Sequence, residues 1–319
     1  MDNLYASITK TSNIIAVQYT DSHTAQLSNV SISAKDTTLQ IGDTVSVDLG
    51  YDDNHNNIFT GYVKSITLSE PEMVYTINAS NVLVRAMDFF IASADPDSPE
   101  SWRNITAENL VKNVLALAGV TSYSSDVSHF TFAIHNPVEV NLTSAYDYCH
   151  FISSLIAFNL YGDKNGVARF ENRRPYVVPG DTPISFSLNN ENVITSEYMR
   201  SEKDIRNRVV VYGASGIHAE AQASSPYLPA GFYKTVVAAA PTVIDSQTMA
   251  QQAADYNLDL LNRLTRRIAV QCIGEPSLET RHTITTVLPD LGINEDLYIY
   301  GLTHTWGRDG FTSMMELRD

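Results

Sequence analysis

Cysteine is scarce in this chain of 319 residues: there are two, Cys149 and Cys272, far apart in sequence. Two thiols cannot build a disulfide framework or a four-ligand zinc site, and the expectation is a pair of buried, reduced side chains. Basic residues are also few, with 21 Lys and Arg against 36 Asp and Glu and a formal net charge of −15. A reader of nucleic-acid sequence needs a basic face to meet phosphate, and polybasic attachment to anionic lipid needs the same. Both classes are disfavoured. No apolar run reaches the ~18–20 residues of a membrane span. Met1-Asp2-Asn3-Leu4-Tyr5 has neither the basic nor the apolar part of a secretory leader, so we expect synthesis in a cytosol and no membrane anchoring. What the chain does have is apolar mass. It is 44% hydrophobic and 18% charged, which excludes global disorder and suggests two or three domains.

The first ~80 residues read as strands. Thr44–Tyr51 alternates, with Val45, Val47, Leu49 and Tyr51 on one face, the period of a half-buried strand. Turn formers at 52–57 lead to a second strand, Ile58–Leu68, and Met73–Asn78 gives a third. The character changes at Ser80. Asn81–Ile91 suits a short helix, and Ala94–Pro99 reads as a linker. A second helix starts at the N-cap Thr106 and closes at Gly119. A third runs from about Ser144 to Phe158 after an N-cap at Thr143, and Asn165-Gly166 marks a two-residue hairpin turn. Strands return near Ile184 and include Asn207–Gly213. Residues 214–241 read as a long loop and 246–264 as a fourth helix. Further strands hold Val270, Ile273, Ile284 and Val287, before a closing hairpin of Leu297–Trp306 and Phe311–Leu317. Phe59–Ile66 and Ile299–Trp306 echo each other, each an aromatic-flanked strand passing through one glycine, which points to related first and last β regions.

Sites of chemistry are sparse. There is no Walker A loop, no G-x-G-x-x-G, no G-x-S-x-G and no H-E-x-x-H. Gly213-Ala214-Ser215-Gly216 follows a strand but opens a loop, so it makes no phosphate cradle. Asp52, Asp53 and His55, with Asp21 and His23, are the best oxygen-rich metal candidate; the plainer reading is a solvated hairpin tip. No pair of carboxylates stands out for glycoside hydrolysis, and Asp290, Glu295 and Asp296 sit in an ordinary acidic turn. Tyr298, Tyr300, Trp306 and Phe311 could form a carbohydrate platform, although aromatics at strand alternation more often serve as core. Arg263, Arg266 and Arg267 cluster near the end of the fourth helix. They fit either a helix-dipole contact or a basic contact to an acidic neighbouring subunit. We therefore predict no catalytic, cofactor-binding or metal residues.

The order of parts carries a resemblance. Ile41-Gly42-Asp43-Thr44-Val45-Ser46-Val47 with Phe59-Thr60-Gly61-Tyr62-Val63, Ile105–Leu110 through Ala118-Gly119-Val120, Asp163–Phe170, Arg206–Gly213 and Tyr298–Leu317 together resemble the baseplate hub proteins of tailed phages. That group includes late-control-protein-D and Mu-type hubs, and its fold also forms the base of the type VI secretion spike. The resemblance spans essentially the whole chain. It implies a mainly β fold with an α+β insertion: two tube-like β-barrel domains, 1–93 and 185–319, flanking a mixed α/β domain at 94–184. Arg206–Gly213 would be the strand that enters the second barrel, and the barrels could be discontinuous.

By the same resemblance the protein would be a homotrimer. Two barrels per subunit would make a pseudo-hexameric ring joining the hexameric tail tube to the trimeric spike, with wedge or sheath-initiating proteins around it. It would reside in the virion baseplate, be made in the host cytoplasm, use no cofactor and catalyse nothing. The chain stops at Asp319, so we expect any spike to be a separate polypeptide. DNA would only pass through the lumen. Most of the net negative charge falls in the two barrel regions, which suggests an acidic lumen that repels phosphate; the alternative places those acids on the outer surface for solubility. Rival functions are a tail-associated glycan-cleaving enzyme and a receptor-binding adhesin.

Overall fold

The N-terminal strands are built on alternation. In Val17, Val30, Ile32, Val45, Val47, Ile77 and their neighbours every second side chain is buried, and each fully buried Val, Leu or Ile contributes about 1.5–3 kcal/mol. The computed structural model of the protein describes residues 3–93, 99–132, 137–172, 182–262 and 265–318. It is mostly strand. Six strands come first: β1 (Leu4–Ile8), β2 (Thr11–Ser22), β3 (Asn29–Thr37), β4 (Thr44–Tyr51), β5 (Asn54–Ser69) and β6 (Val74–Asn81). They pair antiparallel in the order β1-β4-β5-β6-β3-β2. The pairing then returns to β1 through Ile8 opposite Thr11, so the ring closes.

The middle segment holds α1 (Val84–Asp88), α2 (Ala107–Leu117), α3 (Ala145–Leu155) and the hairpin β7 (Phe158–Gly162) with β8 (Ala168–Asn172). Asn81 ends β6 instead of opening a helix. Its Oδ1 accepts from Leu83 N–H, and the expected Asn81–Ile91 helix shrinks to α1 because Phe90–Ile91 pairs as strand with Thr143–Ser144. The α3 N-cap is Ser144, one residue later than expected; its hydroxyl accepts from Asp147 N–H. Gly119 sits past α2 at φ +74, as a C′ glycine should. The β7–β8 turn is not the two-residue form. Gly166 N–H bonds Asp163 O with Gly166 at φ +76, a turn with a glycine bulge. The expected 94–99 linker lies outside the described residues apart from Pro99.

The last part contains β9 (Ser187–Leu188), β10 (Val193–Ser201), β11 (Arg208–Tyr212), β12 (His218–Gln222), β13 (Thr235–Ala239), α4 (Gln247–Leu261), β14 (Thr265–Ile273), β15 (Thr283–Leu288), β16 (Ile293–Gly307) and β17 (Gly310–Arg318). Six of these again form a sheet, in the order β9-β15-β16-β17-β14-β10. Numbered by chain order within each set, both sheets read 1-4-5-6-3-2. The echo between Phe59–Ile66 and Ile299–Trp306 is therefore an echo between fifth strands, β5 and β16. The copies differ in one strand: β1 meets β4 antiparallel, whereas β9 meets β15 parallel. Their glycines also differ in cause. A Cβ on Gly61 would strike Ser80 O at 2.2 Å, while one on Gly301 would find ordinary contacts from 3.5 Å outward.

Two corrections concern the segment between β10 and β14. The expected loop at 214–241 contains β12 and β13, which flank β11 in a separate three-stranded sheet. Arg208–Tyr212 therefore does not enter the second large sheet. It packs with α4 and the middle segment in one hydrophobic core, while the two six-stranded sets share the other.

Candidate assembly interface

The two six-stranded sets meet at one joint. β2 pairs antiparallel with β16, from Ala16 opposite Gly307 to Ser22 opposite Gly301. The pairing extends past the strand end, where His23 N–H bonds Tyr300 O. Directly beside it lies a buried polar cluster. Asp21 Oδ2 and Arg281 Nη1 are 2.7 Å apart, with side chains 6% and 2% exposed. Thr280 Oγ1 donates to the same carboxylate, Arg281 Nη2 donates to Ser22 O at 2.9 Å, and Arg281 lies over the Tyr161 ring at 4.2 Å. Burial alone would lower the guanidinium pKa, but Asp21, with the phenols of Tyr298 and Tyr161, reverses this and raises it. The cluster ties together β2, the loop before β15 and β7 of the middle segment. Asp21 and Tyr298 were singled out by sequence, each for a different role. The pairing spans 260 residues, and no local pattern announces it.

A cleft of about 350 Å³ opens over this cluster, and its acids are Asp21, Asp163, Glu171 and Glu279. Each has a partner. Arg169 binds Asp163, Lys164 binds Glu279, Tyr161 OH donates to Glu171, and Arg281 holds Asp21. These carboxylates position segments of the chain against one another; a hydrolytic pair would need one acid free to donate a proton and one to attack or activate water.

The other candidates disperse. His55 Nδ1 contacts Asp48 and its ring stacks on Tyr5, while His23 stacks on Tyr300, so the proposed metal ligands are not brought together. Among the described residues no group of three potential ligands forms a metal site. Tyr298, Tyr300 and Phe311 are buried, and Trp306 is half-buried against the core that holds Phe311, so these four side chains form no exposed platform. Both cysteines are buried and free. Burial pushes the Cys272 thiol up to about 12 and raises that of Cys149 further. Arg263 lies outside the described residues. Arg266 and Arg267 are in β14, beyond the end of α4, so a helix-dipole role is excluded by position. Each makes a two-pronged ion pair, Arg266 with Glu295 at 2.7 and 2.9 Å and Arg267 with Glu316 at 2.8 and 3.1 Å.

Sequence reasoning missed a broad polar surface. Across the β2–β16 joint one sheet face covers the core and the other is free. Cross-strand register places Ser65, Asn78, Ser31, Gln18, Thr305 and Thr312 in one unbroken row on the free face. A second row runs Ser80, Asn29, Thr20, Thr303, Met314, Gln271 and Thr195. Neither row holds an Asp, Glu, Lys or Arg. The side chains bond one another, as in Asn78 Nδ2 to Ser65 Oγ at 3.1 Å and Ser80 Oγ to Asn29 Oδ1 at 2.7 Å. A signal existed in the alternation of Ser, Thr, Asn and Gln with Val and Ile, but it is visible only once the strands are placed side by side.

No protein-family model matches the sequence, and the search of curated proteins found no match. Solved structures do match. The 43 kDa tail protein of prophage MuSo2 from Shewanella oneidensis superposes with a TM-score of 0.70 at 14% identity, covering 100% of both chains. A tail protein from Neisseria meningitidis MC58 gives 0.69 at 10% identity, covering 99% of this chain and 96% of its own. An Escherichia coli component of the type VI secretion system, described as structurally similar to phage T4 tail proteins gp27 and gp5, gives 0.59 at 10% identity, covering 98% and 76%. The chain has the fold of these tail and spike-base proteins, as its sequence resemblance led us to expect.

Proposed function

We propose that the protein is a structural hub subunit of a phage or phage-like tail baseplate, acting as a homotrimeric, pseudo-hexameric adaptor between a hexameric tail tube and a trimeric spike. The observation that carries this reading is the repeated 1-4-5-6-3-2 strand order. A chain with two equivalent sheets can answer six-fold symmetry on one side and three-fold symmetry on the other. The full-length match to tail proteins supports the same reading. The tube-like domains, the tube, spike and wedge or sheath-initiating partners, and the location in the virion all belong to this proposal. So does the absence of catalysis, which the paired carboxylates of the cleft favour.

In such a ring the free face, common to both sheets, would turn to the axis and line the DNA channel. Its two central rows would be uncharged, and the next row on the second sheet carries Glu316 and Glu197 with Arg267 beyond. A lumen lined this way would be mostly neutral, with Glu197 and Glu316 beside Arg267 at one end, so less acidic than the net charge alone suggested. A subunit contact by Arg266 and Arg267 would exchange existing ion pairs, since each guanidinium already holds a glutamate.

The adhesin reading draws on the exposed Tyr212, Tyr227, Phe232 and Tyr233 around the three-stranded sheet. Light scattering of the chain alone and with a tube protein, followed by electron microscopy, separates the two. The hub reading expects a ring-shaped trimer. A chain that stays monomeric with both tube and spike proteins overturns it.

A further inference from the structure

The joint inside the chain specifies the joint between chains. In the second sheet the fifth strand, β16, uses one edge twice. Its first half, Ile293–Tyr298, pairs with the fourth strand β15, and its second half, Gly301–Gly307, takes in β2, the second strand of the other sheet. The opposite edge belongs to β17. In the first sheet the fifth strand, β5, is arranged the same way but is only half filled. β4 covers Asn54–Tyr62 on one edge, Gly42 and Asp43 bond Val63 beyond it, and β6 covers the other edge. From Lys64 to Ser69 no strand among the described residues pairs along the first edge. The matching strand is also vacant. β10, the second strand of the second sheet, pairs among the described residues on one side, with β14. An uncovered strand edge is a template for another chain.

We propose that β10 of one copy adds antiparallel to the Lys64–Ser69 segment of β5 in the next copy, repeating between subunits the β2–β16 joint found within each. This rests on the hub reading above. Apolar exposure supports a second copy as the occupant. Ile194 and Met199 on β10 are 53% and 44% exposed, Leu68 on β5 is 41% exposed, and Ile41, beside Gly42, is 73% exposed. The Ile41 loop lies between the third and fourth strands. Its counterpart in the second sheet carries Thr280 and Arg281, which grip the end of β2. The end of β10 would meet the Ile41 loop in the same way. The contact is heterologous, because the two patches differ, so it must close into a ring or run on as a filament. Register follows from the first uncharged row. Thr312 stands opposite Ile273, and Ile273 N–H bonds Asn192 O, which brings Asn192–Ile194 beside the next copy's Ser65.

The test is cysteine cross-linking of the assembled protein. Asn192→Cys, Val193→Cys and Ile194→Cys are each combined with Ser65→Cys or Thr67→Cys, leaving the buried native thiols in place. Oxidation should move most of the chain into a covalent trimer for at least one pairing, and reduction should reverse it. Each single variant should stay uncross-linked. If light scattering shows trimers while none of the six pairings cross-links, this joint is wrong and the hub reading stands. If the chain remains monomeric with tube and spike proteins, the joint and the hub reading fall together.

Discussion

Removing one partner of the Asp21–Arg281 pair should uncouple the two cores. The perturbation is Asp21→Asn, which keeps the shape and removes the charge. The guanidinium would then lie buried without its carboxylate, while Thr280, the Ser22 carbonyl and the Tyr161 ring remain beside it. Breaking such a pair costs about 3–5 kcal/mol, whereas replacing both partners with apolar groups is often neutral. For 319 residues unfolding as one unit, that cost corresponds to a fall in Tm of roughly 5–8 °C. The two tryptophans provide the assay, because Trp102 packs against one core and Trp306 against the other. Trp102→Phe and Trp306→Phe backgrounds let urea unfolding be followed separately in each. In the parent chain both should report the same midpoint. In Asp21→Asn the midpoints should separate, because the cluster bridges β2 and β7. Asp21→Leu with Arg281→Met should recover most of the lost stability. The reasoning fails if the single change costs under about 1 kcal/mol, or if the apolar double variant is as unstable as Asp21→Asn.

Three further outcomes are expected. His304 is fully buried beside Ser313, at 2.8 Å, and desolvation lowers its pKa to about 4. The unfolded chain binds the proton first, near pH 6.5, so the neutral ring's contribution is complete above that pH and is lost as pH falls towards 4. The loss totals about 3 kcal/mol, and His304→Gln should flatten the stability profile between pH 6.5 and 4; an unchanged slope would show that another group sets it. Cys149 and Cys272 should both resist a thiol reagent in the native protein and react fully in urea, since burial disfavours the thiolate; rapid native labelling would contradict their placement. Gln18→Lys with Thr20→Lys puts two cations on the free face at exposed positions, where stability should change by less than about 0.5 kcal/mol per site. If that face lines the channel, particles carrying the variant should release DNA more slowly at low salt and recover at high salt, and normal release at low salt would place the face elsewhere.

Sequence legibility followed the strength of local signals. β4 was read to the residue because Val45, Val47 and Leu49 alternate against polar neighbours. β12 was missed because its buried side chains are Ala219 and Ala221, and alanine carries little strand preference. The fourth helix was drawn through to Leu264, but α4 ends at Leu261, where Asn262 N–H bonds Leu258 O; this placed Arg266 and Arg267 on the wrong element. The echo of β5 and β16 was legible as eight residues of likeness. That it reflects six-stranded sets of identical order was not, since strand order depends on pairings between residues far apart in the chain. The Asp21–Arg281 cluster lies at the extreme of that distance.

The two cores are braided along the chain. One takes its buried residues from 8–79, from Leu188 and from 268–317, the other from 82–170 and 209–254. The chain therefore leaves the first core, enters the second, returns, leaves again through β11–β13 and α4, and comes back for β14–β17. No single cut yields a fragment holding one complete core. A prematurely terminated product would expose unfinished sheet edges and be open to proteolysis, so if the chain assembles into the proposed ring, the threading would keep truncated copies from competing for a place in it.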